Sequence, residues 1–273
     1  MPRDPVAQRV ADELNGLMSP GSELHLMGPR ASVRLFTPTQ LARRTVEIAV
    51  EYRRRSPFVA SDGLAAVVTA GPPGAGKSTY LEAARFKERG FREIDADEIK
   101  DMLLSRAILE RTFDDILLRT LADGRPIRPR ELSSLVHAES TAIAQNLVEI
   151  STRAGENVVV HGTLGWEGQP NSLLSLLSEN GYEELTIIDV EVDLPSAIER
   201  TLDRWWLGRV DEYDFLGGRF VPEGSIRSLY TSHSTSRCSA NADFMFATAQ
   251  IPCELRRVST NADSVTTSVT RKE

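Results

Sequence analysis

Cysteine, histidine and aromatic residues are scarce in this chain: it has two Cys, four His and only 6% Phe, Trp and Tyr among 273 residues. Cys238 and Cys253 alone cannot form a disulfide framework, and no zinc-like Cys/His spacing is present. Positive charge is not in excess either. With 32 Lys and Arg against 39 Asp and Glu, the formal net charge is -7. That balance argues against a nucleic-acid surface as the main contact, though a local basic patch stays open. No apolar run is long enough to cross a bilayer. The start, Met1-Pro2-Arg3-Asp4-Pro5, lacks the apolar core of a secretory signal. Together these absences predict a cytoplasmic protein. The length suits one large α/β domain with additions.

What is present is a glycine-rich phosphate motif. Gly71-Pro72-Pro73-Gly74-Ala75-Gly76-Lys77-Ser78 matches G-x-x-x-x-G-K-[ST], with Thr79 directly after it. Before it, Leu64–Ala70 is a short apolar run that reads as a buried strand. After it, Ser78–Arg85 has helical composition. Strand, loop and helix thus occur in the order the motif needs. The glycines let the backbone turn tightly and leave N–H groups uncovered around a phosphate. The helix start adds unpaired N–H groups and the positive end of its dipole. Lys77 is expected to reach the outer phosphates, and Ser78 to ligate Mg²⁺.

From Gly63 onward, strand and helix patterns alternate, which predicts a mainly parallel sheet covered by helices. The expected strands are Leu64–Ala70, Phe91–Ile94, Asn157–His161, Leu185–Val192 and Ala242–Ala247. The expected helices are Ser78–Arg89, Ala96–Ser105, Glu131–Arg153, Ser172–Asn180 and Pro195–Trp206, with another over Ala107–Ala122. Residues 1–60 read as an N-terminal helical extension, carrying an amphipathic helix over Gln40–Arg55. Residues 61–255 read as the α/β domain. Residues 256–273, rich in Ser and Thr without periodicity, read as a flexible tail.

A second informative segment is Ile94-Asp95-Ala96-Asp97-Glu98-Ile99-Lys100. Acidic residues at the carboxyl edge of a parallel sheet are well placed to meet an acceptor hydroxyl or Mg²⁺. Asp97 reads either as such an acid or as a plain helix cap. Ile187-Ile188-Asp189 looks like an apolar run ending in Asp. Because the run continues through Val190 to Val192, Asp189 is expected inside a strand, as an incidental match. His137 and His161 read as ordinary packing, and Trp205 and Trp206 as helix packing.

Taken together, GPPGAGKST at 71–79, IDADEIK at 94–100, GENVVVHGTL at 155–164 and TLDRWWLGR…GRFVP over 201–222 resemble the zeta toxin family of P-loop kinases. The resemblance implies a P-loop kinase-like three-layer fold over residues 61–255. It also implies an ATP- and Mg²⁺-dependent kinase that phosphorylates UDP-N-acetylglucosamine, a nucleotide sugar, and an antitoxin protein as partner. By position, Lys77 and Ser78 would hold ATP and metal, and Asp97 would be the catalytic base. Thr163 would contact substrate, and Arg204 and Arg219 the transferred phosphate. Arg209 is the fallback if the helix register slips.

Three positions depart from the family pattern. His161 stands where an acid is common, and Gly165 where a sugar-nucleotide-binding arginine is common. The substrate glutamate falls near Gln145, with Glu139 close by. Without a guanidinium at Gly165, weak affinity for UDP-N-acetylglucosamine or a different acceptor is expected. A kinase of another metabolite or antibiotic is the second enzyme reading. An ATP-binding regulatory switch is the reading from another class.

Overall fold

A computed structural model describes residues 4–56, 58–61, 63–261 and 264–273. Helix α1 (Pro5–Met18), the one-turn α2 (Ser32–Leu35) and α3 (Pro38–Arg54) precede strand β1 (Ala65–Ala70) and helix α4 (Lys77–Ala84). Strand β2 (Arg92–Ile94) runs into α5 (Ala96–Leu109), then α6 (Asp114–Leu117) and α7 (His137–Arg153). Next come β3 (Val158–Val160), α8 (Gln169–Glu179), β4 (Glu184–Glu191), α9 (Leu194–Val210) and α10 (Glu223–Arg227). Helix α11 (Arg237–Thr248) leads to the hairpin of β5 (Cys253–Asn261) and β6 (Ser264–Lys272).

The chain groups into two compact units, each assembled from three segments. The first comprises Met1–Glu51, Ala96–Ile143 and Arg200–Glu223; the second comprises Tyr52–Asp95, Ala144–Glu199 and Gly224–Glu273. The first unit is helical. Val10, Leu14 and Leu24 are buried there, as are Ile99, Leu103, Leu132 and Leu135. Backbone and side chain join its segments: Ser32 N–H donates to the Leu135 carbonyl at 2.8 Å, and Ser134 Oγ donates to the Leu24 carbonyl at 2.8 Å. At the start of α1, the Asp4 side chain accepts from Val6 N–H, and Pro5 takes the first helical position, where its missing N–H costs nothing.

The second unit holds the whole described sheet, in the order β2-β3-β1-β4-β5-β6. Every neighbouring pair from β2 to β5 is parallel, and β6 closes the edge antiparallel to β5. Strand β1 is central, and Ala66–Ala70 are buried. A parallel strand covered on both faces needs such an unbroken apolar run. The expected α/β fold with a mainly parallel sheet and flanking helices is therefore the one observed.

Several expected elements differ. Ala242–Ala247, expected as a strand, lies inside helix α11, whose start is capped by Ser236 accepting from Ser239 N–H. A six-residue, mostly apolar stretch fits either element, and here the cap decides. Residues 256–273 do not form a loose tail: they supply most of β5 and β6. Their Val and Thr content suits strands, and the edge strand β6 is exposed from Val265 to Lys272. Residues 1–60 do not stand apart either, since Met1–Glu51 groups with later segments in the first unit. Helix α4 stops at Ala84 because Arg85 takes a left-handed φ of 52°. The Glu131–Arg153 prediction divides into a 3-10 turn at Pro129–Leu132 and α7. Across Ala107–Ala122, α5 ends at Leu109 and only Asp114–Leu117 is helical again.

Candidate active site

In the second unit, β1 delivers the glycine loop to the start of α4. Gly71 is buried with φ 129°, and a Cβ there would lie 2.1 Å from the Val190 carbonyl oxygen of β4. No side chain fits in that gap, so the root of the loop must be glycine. Gly74 and Gly76 also take positive φ, 81° and 97°, a conformation glycine adopts without strain. Lys77 Nζ donates to the carbonyls of Gly71 (2.5 Å) and Pro72 (2.8 Å). Ser78 and Thr79 are exposed in the first turn of α4. Pro72 and Ala75 are buried and Pro73 is half-buried, so these three shape the loop while the glycines and the helix start present N–H groups. This arrangement fits a polyphosphate. Among the described residues no His/Cys/Asp/Glu cluster could hold a metal by itself. The exposed Ser78 hydroxyl could serve as a protein ligand to Mg²⁺, whose other positions phosphate oxygens and waters would fill.

The neighbouring strand ends complete this edge. Gly71 N–H donates to the Thr163 carbonyl at 3.0 Å, and Thr163 Oγ1 accepts from Gly165 N–H at 3.2 Å. Thr163 is thereby fixed against the loop root. His161, half-buried, stands between two acids: Nε2 is 3.6 Å from Glu93 Oε2, and Nδ1 is 3.8 Å from Asp95 Oδ2. The histidine is the main cause holding the Glu93 carboxyl below its usual range. His161 therefore stands among carboxylates rather than in apolar packing. Gln145 is exposed on α7.

Asp189 sits inside β4, as expected. It is fully buried and accepts from Ser239 Oγ at 2.7 Å, and burial raises its carboxyl. Glu191 ends β4 and accepts from Ser236 Oγ at 2.6 Å. Burial lifts its carboxyl to about 7 against the opposing Ser236 hydrogen bond.

In the first unit, Asp97 occupies the first turn of α5. Its Oδ1 accepts from Lys100 Nζ at 2.8 Å, and its Oδ2 lies 3.6 Å from Arg219 Nε. Arg219 also donates to the Asp97 carbonyl (2.9 Å), Asp101 Oδ1 (2.6 Å) and Ser133 Oγ (2.8 Å). Desolvation pushes the Asp97 carboxyl up, but Lys100, Arg219 and the more distant Arg204 outweigh it and hold the group well below the usual carboxylate range. Asp97 is consequently an anion throughout the physiological range, with half its side chain exposed.

Arg204 is exposed on α9, and Arg219 lies in the loop before Val221-Pro222. Sequence reasoning missed Lys100, Asp101 and Ser133. Lys100 and Asp101 follow Asp97 at helical spacing, which is the signal that could have found the first two. Ser133 comes from a distant segment and left no local signal. Arg209 is no substitute for Arg204 on α9. It is fully buried, bound by both oxygens of Glu131 (2.7 and 2.6 Å) and by Asp123. Trp205 packs edge-on to Phe220 and donates to Glu131, as a packing residue does. Glu139 is buried and accepts from Arg44 Nε at 2.7 Å, so its accessible oxygen surface is nearly nil.

A glycine loop rooted on the central strand of a parallel sheet, with its lysine at the following helix, defines a P-loop kinase-like protein. The family assignment is narrower: the zeta toxin family model matches residues 51–261. The chain belongs to the zeta toxin family. No curated protein sequence matches it. Among solved structures, one of the PezAT chromosomal toxin–antitoxin system of Streptococcus pneumoniae is similar. That pair has a TM-score of 0.54 and 18% identity over 84% of this chain and 80% of the other. An AvrRxo1-ORF1:ORF2 structure with ATP has a TM-score of 0.51 and 19% identity over 85% of this chain and 67% of the other. These likenesses show a shared fold. No helix among the described residues is long and apolar enough to cross a membrane.

Proposed function

We propose that this protein is a cytoplasmic, ATP- and Mg²⁺-dependent toxin kinase that phosphorylates a hydroxyl of a nucleotide sugar such as UDP-N-acetylglucosamine. The observation that carries this reading beyond nucleotide binding is Asp97, an anionic carboxylate bordered by Lys100 and Arg219. A nucleotide switch needs the loop; a kinase also needs a group to take the acceptor's proton. Phosphoryl transfer asks the protein mainly for positioning and charge neutralisation. In this reading the acceptor oxygen bonds to the γ-phosphorus, the bond to the bridging oxygen breaks, ADP leaves, and the hydroxyl proton passes to Asp97. Lys77, Arg204 and Arg219 offset charge on the phosphoryl oxygens. Mg²⁺ on Ser78 would neutralise phosphate charge when bound. Thr163, beside the loop root, contacts the acceptor.

His161, Gln145 and Gly165 stand where other residues are common in the family pattern, and Glu139 is committed to Arg44. These features favour an acceptor related to, rather than identical with, UDP-N-acetylglucosamine. An antitoxin that covers this chain is the partner implied by the family. The test is mass spectrometry of products after incubation with ATP, Mg²⁺ and a panel of nucleotide sugars, with Lys77→Ala as the blank. One sugar should gain a phosphate with wild-type protein alone. ATP turnover indifferent to every hydroxylated acceptor, metabolites and aminoglycoside-like compounds included, would favour a regulatory ATPase.

A further inference from the structure

Thr260 reaches the phosphate loop from the far end of the sequence. The last β4–β5 pair is Glu191 with Ser259, so Thr260 lies one residue past the carboxyl end of β4. That is the edge where the glycine loop leaves β1. Pairing with Val265 of β6 holds its backbone in the hairpin. Its hydroxyl donates to the Ala75 carbonyl at 2.8 Å, with the Glu191 carbonyl farther off at 3.4 Å. A methyl placed on Gly76 would lie 4.0 Å from Thr260 Cγ2, so the threonine methyl borders Gly76 without crowding it.

We infer that Thr260 is a positioning residue for nucleotide binding, the side chain that sets the Ala75–Gly76 peptide. The peptide is planar and trans, so its C=O and N–H point in opposite directions. Holding the Ala75 carbonyl toward β5 turns the Gly76 N–H away from β5 and fixes its aim. A P-loop recognises phosphate through such N–H groups, and an unfixed peptide would have to be ordered on binding. Ala75 is fully buried, so its carbonyl cannot exchange the threonine for bulk water. The inference rests on the nucleotide-binding reading for its consequence, but not for its geometry.

Thr260→Val keeps the shape and removes the donor; Thr260→Ser keeps the donor and removes the methyl. Two measurements separate the ideas: amide hydrogen exchange of residues 71–80 without nucleotide, and calorimetric titration with ATP. Thr260→Val should exchange faster in that segment and bind ATP about tenfold more weakly, the loss of one buried hydrogen bond. Thr260→Ser should stay near wild type in both. Wild-type exchange and affinity in Thr260→Val would overturn the inference, as would a Thr260→Ser variant as impaired as Thr260→Val. If wild-type protein binds no ATP while Thr260→Val still loosens residues 71–80, the positioning role stands and the kinase reading falls.

Discussion

Two arginines in the first unit show how the same chemistry serves different ends. Arg209 and Arg219 each bind carboxylates at short range. Arg209 is fully buried, and Glu131 and Asp123 occupy its donors. Arg219 keeps 12% of its side chain exposed and faces Asp97, which is half exposed. A buried pair whose donors are all used can hold a fold but cannot meet a substrate. An anion at the surface among cations has room for a ligand. Distance does not distinguish the two clusters; solvent access does.

The largest effect should fall on the buried cluster, and on stability. Arg209→Ala leaves Glu131 buried without its countercharge and should cost about 3–5 kcal/mol in urea unfolding. The kcat of the fraction still folded should be unchanged. A kcat loss at full stability would erase the distinction between the two arginines.

Next is Asp97→Asn, which keeps shape and removes the proton acceptor. It should lower acceptor phosphorylation about 10²-fold or more while ATP affinity, measured by calorimetry, holds. Asp95→Asn should matter less, because Asp95 faces His161. Greater sensitivity at Asp95 would move the base by two residues. Smaller again is Arg219→Ala, expected to slow single-turnover transfer about 10- to 100-fold. Arg219→Lys should recover only part, because an ammonium cannot reproduce the fork that spans Asp97, Asp101 and Ser133. Arg204→Ala should follow the same direction with a lesser loss, since Arg204 is exposed. Wild-type rates in both would remove the arginines from the site.

The smallest expected effect sharpens the role of burial. The Glu191 carboxyl is raised to about 7 by desolvation. Between pH 4.5 and 7 the unfolded chain loses this proton while the folded one keeps it, so its contribution to stability falls as pH rises and is level above about 7. Glu191→Gln should remove that decline, stabilising the protein at pH 8 relative to pH 5 by on the order of 1–2 kcal/mol. Parallel melting curves for both proteins at the two pH values would show that Glu191 is solvated.

The phosphate loop was legible because every element it needs is contiguous: strand, glycines, lysine and helix within one stretch. Asp97 was legible as a helix-start acid with two meanings, and only the contacts of Lys100 and Arg219 favour one of them. Arg219, Ser133 and Thr260 come from separate segments, and local sequence has no means of pairing them. The β5–β6 hairpin was misread for a different reason. Its Ser and Thr residues lower mean hydropathy, while its β-branched content suits an edge strand whose side chains from Val265 to Lys272 stay in water. Gln145 and Glu139 show what a resemblance leaves open. The family resemblance put the substrate glutamate near Gln145 with Glu139 close by; α7 exposes Gln145 and pairs Glu139 with Arg44.

The order of the sheet also has a consequence for synthesis. Val68 of the central strand pairs with Val160 on one side and Ile187 on the other. A nascent chain that has released its glycine loop still lacks both strands that will hold β1. More than a hundred further residues must emerge before the second of them does. Long-range parallel pairing is slow to form, and fragments ending early would carry the phosphate motif without the scaffold that shapes it. On the proposed function, a ribosome stalled before β4 has emerged leaves the glycine loop without its scaffold and yields no active product.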